Sequence, residues 1–189
     1  MDIGLAYAHV VASLNMDVGR FYQPGDSLTL GKGKIYRSVI FPLFDVEHTT
    51  FLTVRGIGLV LTHECDVDAD NDRMFSDDAL VCPIIPLENL VVELTAEISE
   101  SQLVSFLTNL GARNISRLAY LPPSSPDLPY GGVLFLNQIT NTHVSVFSTV
   151  GASAICALSG FGLWEIEYLL ENHLLRPKAD RAAFVPAYL

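Results

Sequence analysis

The sequence predicts an α+β protein, mainly β, built as a small SH3-like, partly open β-barrel with two packed helices. Three observations lead there. Short runs rich in Val, Ile, Phe and Thr recur through the first half, bounded by Gly, Pro, Asn or Asp. Two later segments repeat Leu, Ile and Phe at helical spacing. Half of the residues are hydrophobic and only 17% are charged, which suits a packed core rather than a disordered chain.

The first expected strand, DSLTL over Asp26–Leu30, follows the turn signal Gln23-Pro24-Gly25. Gly31-Lys32-Gly33-Lys34 lacks the spacing of a phosphate-binding loop and reads as a hairpin turn. SVIFPLF over Ser38–Phe44 is aromatic and β-branched, with Pro42 marking an edge or a bulge. Thr50–Val54 and Ile57–Thr62 read as two strands joined by a hairpin at Arg55-Gly56. Ala79–Ile85 is a continuous apolar run, as in a strand buried on both faces. A helix opens at Ser99, with Glu100 in its first turn. It carries Leu103, Phe106, Leu107 and Leu110 on one stripe, and Gly111 follows as the residue after the C-cap. Strands are expected within Ser116–Leu121, Val133–Ile139 and His143–Ser148. The loop Leu121–Gly132, with four prolines, reads as an exposed excursion. A second helix starts near Ser159 or Gly162 and runs to about Leu175, where Arg176-Pro177 stops it. Trp164 is expected to pack this helix against the barrel.

These elements fit one domain over residues 1–189, with a barrel core at about 20–150, a C-terminal helix at about 160–176 and a tail over 177–189. The segment Met1–Asn15 has no basic region ahead of its apolar residues, so no signal peptide is expected. Leu128 to Trp164 contains no Asp, Glu, Lys or Arg. Its Asn, Gln, Ser and Thr residues interrupt the run of about 20 apolar residues that a membrane helix needs. Three cysteines, Cys65, Cys82 and Cys156, are odd in number and set in apolar sequence. They read as reduced thiols and point to the cytoplasm. Eleven basic against 21 acidic residues give a net charge of −10, which disfavours nucleic acid as a partner.

The stretch Leu61–Asp72 (LTHECDVDADND) holds the densest cluster of chemically capable side chains. Asp66, Asp68, Asp70 and Asp72 alternate, and Asp77 falls at the twelfth position of a calcium-loop pattern. Asn71 stands where that pattern wants Gly, and Arg73 where it wants an aliphatic residue, so a solvated turn is favoured over a metal site. His63, Cys65 and Cys82 offer zinc ligands without a CxxC or CxxH knuckle, and Cys82 reads as a core residue. Cys65 beside His63 or His143 has the composition of a nucleophile and its base. The favoured reading is structural: Cys65 finishes a buried strand and Asp66 accepts backbone N–H groups from the turn. Arg117 and Tyr120 flank the Pro-rich loop, either to bind a partner or to pin the loop. No cofactor is expected.

Thr62-His63-Glu64-Cys65-Asp66, Val81-Cys82-Pro83-Ile84 and Arg117-Leu118-Ala119-Tyr120-Leu121-Pro122 together form a recurring order. A strand ends in [Ser/Thr]-x-x-Cys-Asp. An apolar strand with Pro, a helix, and Arg-x-x-Tyr-Leu-Pro follow. This order resembles a group of bacterial proteins without an assigned activity, over roughly Arg55 to Arg181. Separately, Gly25-Asp26 and the run from Arg55 through GIGLVL to Thr62 resemble the MazF/PemK toxins, small SH3-like barrels that cleave RNA with Arg and a Ser or Thr. That resemblance implies Arg55 and Thr62 as the catalytic positions. The expected function is a non-enzymatic module that binds another protein, in a bacterial multi-gene stress or defence unit. The alternatives are a MazF/PemK-like endoribonuclease and a calcium- or zinc-binding domain.

Overall fold

The computed structural model describes residues 1–23, 30–45, 47–67, 77–148 and 151–175. Its centre is an antiparallel seven-stranded sheet: β1 (Lys34–Asp45), β2 (Thr50–Val60), β3 (Asp78–Pro86), β4 (Leu118–Leu121), β5 (Gly132–Phe135), β6 (Thr140–His143) and β7 (Ser153–Ala157). The order is β4-β5-β3-β2-β1-β7, and β6 pairs with the first half of β3 while β5 pairs with its last residues. Pro83 falls between these two ladders, where a missing N–H leaves no bond unmade. The sheet is open, and the α+β class holds.

Helices cover both faces. They are α1 (Ile3–Ser13), α2 (Glu64–Val67), α3 (Leu87–Glu97), α4 (Glu100–Gly111), α5 (Ser145–Ser148) and α6 (Gly160–Leu175). The expectation of two packed helices is therefore too low. α4 and α6 stand where the pattern puts them, and α1 and α3 join α4 in a layer. On β4, Leu118 and Tyr120 face this layer, with Val133 of β5 beside them, while Ala119 and Leu121 face the opposite core. That second core gathers Phe21, Ile35, Leu59, Cys82, Ile84 and Ile166. A third, smaller core of Tyr36, Val39, Phe41, Val60, Val81 and Val146 lies under α5. Arg113, at φ 60°, ion-pairs with the buried Glu165 of α6, joining the end of α4 to the other face.

Several local expectations change. Arg55-Gly56 is not a turn: β2 is continuous, and the chain reverses between β1 and β2 instead. Gly56 serves close packing, since a Cβ there would touch the Phe41 ring at 3.4 Å. Gly111 is the last residue of α4, and the left-handed residue beyond it is Arg113. His143–Ser148 is not one strand. His143 ends β6, and its Nδ1 accepts the Ser145 N–H at 3.2 Å to start α5. Trp164 is 58% exposed and stacks on Tyr168 at 5.9 Å rather than packing α6 onto the sheet.

The Pro-rich loop is not an excursion. Leu128 is 0% exposed within the second core. Tyr22, bridged to Leu158 beyond β7, donates its hydroxyl to the Pro122 carbonyl at 2.7 Å. Cys156 of β7 meets Ser124 at 3.4 Å, and Arg37 of β1 pairs with Asp127 at 3.3 Å. The loop thus spans the gap between the two ends of the open sheet. The expected strand at Asp26–Leu30 and the tail after Leu175 lie outside the described residues, Leu30 excepted.

Candidate functional site: the β1–β2 arm and its groove

β1 and β2 are longer than their neighbours. β7 pairs with β1 only over Lys34–Arg37, and β3 pairs with β2 only over Ile57–Val60. The rest, through Asp45 and back from Thr50, is a two-stranded ribbon held by its own ladder. A register shift between Tyr36 and Val39, with Ser38 at φ 59°, sits where β1 leaves the sheet. A bulge bends a strand and raises its twist, so it turns the ribbon outward. The ribbon is apolar without being buried: Phe51 is 73% exposed, and Leu52 and Val54 are exposed too. An isolated two-stranded ribbon is marginal in water. Keeping large apolar groups on one has a cost that an interaction surface accounts for.

Beneath the arm lies a groove of about 1000 Å³. Val54, Arg55 and Phe41 form its arm wall, Asn89 and Glu93 of α3 form the opposite wall, and Gln138 and Ile139 close one end. Its origin is readable in β3. Extending the β2–β3 register past Ile57↔Ile84 would set Pro86 opposite Arg55. Pro86 has no N–H for that ladder, and α3 begins at the next residue. The two strands therefore part. Val92, 71% exposed, continues the apolar surface on α3.

Of the described residues singled out by sequence, all but Arg55 fall elsewhere. Arg55 borders the groove, but five residue steps along the strand, about 17 Å at 3.3 Å each, separate it from Val60, and Thr62 lies beyond. Thr62 Oγ1 accepts the Leu80 N–H at 2.6 Å and stitches the end of β2 to β3. Arg55 and Thr62 are not brought together. Tyr120 is buried and donates its hydroxyl to the Tyr130 carbonyl at 2.9 Å, and burial pushes its phenol well above the ordinary range. Arg117 is exposed in the turn before β4. Tyr120 thus ties β4 to the Pro-rich loop.

Cys65 lies in α2 rather than at the end of a strand, with Asp66 beside it. His63 Nδ1 stands 2.9 Å from Cys65 Sγ, takes the Cys65 N–H at 3.4 Å, and lies 3.7 Å from Glu64 Oε2. The pair has the contents of a nucleophile and a base. Its geometry matches a neutral counterpart, however: His143 Nδ1 stands 2.8 Å from Ser145 Oγ and also takes a backbone N–H. In both places a His opens a short helix, which is a capping role. The shared His-x-[Cys/Ser] spacing was the available signal. Cys82 is buried, and desolvation pushes its thiol up to about 12, so at neutral pH it is a thiol and a poor ligand. Asp68, Asp70 and Asp72 lie outside the described residues. Among the described residues, no three His, Cys, Asp or Glu side chains converge as a metal would require, and no helix is long and apolar enough to cross a membrane.

The sequence pattern did not single out the arm as a site. Thr50–Val54 reads as an ordinary half-buried strand. Among the described residues no layer covers it, and its exposed side chains form a surface. Comparison with protein-family models and with curated proteins finds no match for the chain.

Proposed function

We propose that the protein is a non-enzymatic interaction module that holds a partner protein against the β1–β2 arm. The observation that carries this reading is the arm itself: Phe51, Leu52 and Val54 exposed on a ribbon that projects past its sheet and overhangs a groove. Large apolar side chains kept exposed together on one ribbon mark an interaction site. The setting in a bacterial multi-gene stress or defence unit is part of the same proposal; the group that Thr62–Asp66 and Arg117–Pro122 resemble has no assigned activity. The ribonuclease alternative needs Arg55 and Thr62 at one phosphate, and the distance along β2 works against it.

The test is a photo-cross-linking residue at Phe51 in the native host. The expected result is one discrete cross-linked protein, absent when the probe is moved to Glu100 and lost on Val54→Asp. A uniform smear from both positions overturns the reading. So does metal-independent cleavage of single-stranded RNA by the purified protein that disappears in Arg55→Ala.

A further inference from the structure

We infer that the groove receives an extended segment of the partner, with alternating apolar and basic side chains, as an added strand along the β3-facing side of β2. This rests on the interaction-module reading and names the chemistry of the partner. The first ground is the ladder. From Thr50 to Gly56, β2 has β1 on one side and no neighbouring strand on the other among the described residues. In an antiparallel strand, alternate residues direct N–H and C=O groups to that second side. An extended peptide is the ligand that matches such a row, with side-chain pockets on alternate residues setting its specificity.

The second ground is shape. The groove opens where β2 and β3 part, and Phe51 and Val54 to Ile57 of β2 line it. Ile85 and Ile139 line the groove and offer apolar contacts to the guest.

The third ground is charge, which selects among occupants. α3 forms one wall and carries Glu88, Glu93 and Glu97 with no Lys or Arg in its eleven residues. The whole chain has a net charge of −10, so a second copy meets its own repulsion, whereas Lys or Arg on the α3 side of a guest strand meets Glu93, the α3 glutamate that lines the groove. Arg55, on the arm, also lines the groove.

The experiment uses the full chain and three end-blocked, fluorescently labelled peptides: alternating valine and arginine, alternating valine and glutamate, and the arginine peptide with the amides of one edge N-methylated. The expected result is saturable anisotropy binding of the arginine peptide. Affinity should fall at least tenfold for the glutamate peptide and at least tenfold on N-methylation, because methyl groups remove the ladder donors and keep the side chains. Glu93→Lys, on an exposed helix face, should weaken the arginine peptide about fivefold with an unchanged circular dichroism spectrum. Binding indifferent to N-methylation overturns strand addition, and equal binding of the glutamate peptide overturns the charge selection. Sedimentation as a dimer that Phe51→Asp converts to monomer assigns the groove to a second copy and overturns the proposal. Failure of all three peptides while Phe51 still cross-links one protein also overturns the inference, and leaves the interaction-module reading standing. Loss of that cross-link overturns the reading itself.

Discussion

A Cβ on Gly111 would lie 2.3 Å from the Val10 carbonyl oxygen of α1. That contact is backbone and has no rotamer by which to move away. Ala in place of Gly gains about 1 kcal/mol of helix propensity, but forced overpacking costs about 1–3 kcal/mol, more where backbone must shift. Gly111→Ala should therefore lower stability by about 1–2 kcal/mol in urea unfolding. Gly160 has nothing within 4 Å of its would-be Cβ. Gly160→Ala should gain a few tenths of a kcal/mol. The sequence marks Gly111 as a helix end, because the local pattern holds no information about α1. Cys82 was legible as core, since its neighbours in ALVCPII are all apolar.

At the scale of elements, α4 is the most legible, because its signals are local. Ser99 and Gln102 form a capping box in which each side chain accepts the other's backbone N–H. Ser99→Ala should cost about 1 kcal/mol, read as a shift of the urea midpoint at constant slope. The Pro-rich loop is the opposite case. Its prolines announce a loop, and nothing local says that Leu128 belongs to the core. Leu128→Ala should cost about 2–5 kcal/mol, the range for emptying a buried leucine site. An effect under about 0.5 kcal/mol, the range for an exposed position, would restore the exposed-loop expectation. The β1–β2 hairpin was misplaced because Arg-Gly resembles a turn, whereas the glycine there admits the ring of Phe41.

For the whole molecule, burial on both sides of the sheet sets a dependence on alkaline pH. Desolvation raises the thiol of Cys82 from 9.0 to about 12, raises that of Cys156, and raises the phenols of Tyr22, Tyr36 and Tyr120. Below pH 9 both folded and unfolded chains keep these protons, and stability is fully present. Above it, the unfolded chain releases them first and binds fewer protons than the folded one, so stability falls as pH rises from about 9 to 12. One such group contributes a slope of up to about 1.4 kcal/mol per pH unit. Urea unfolding at pH 8, 9 and 10 should show the decline, and Cys82→Ala should flatten it between pH 9 and 10, before the tyrosines dominate. An identical slope in the variant would place the titrating groups elsewhere.

By itself the sequence determined the α+β class, the positions of α4 and α6, the existence of β3 and the acidic balance of the chain. Each of these follows from period, capping or composition, which act over a few residues or over the chain as a whole. β3 is not, however, buried on both faces throughout, since Leu80 is 45% exposed. Only the tertiary structure decided that Thr50–Val54 stays uncovered, that Thr62 and Tyr120 serve the frame, and that the Pro-rich loop fills the opening of the sheet. Whether an apolar strand becomes core or contact surface depends on what lies across from it. Here Pro86 sends the chain into α3, and Thr50–Gly56 of β2 has no strand on that side among the described residues.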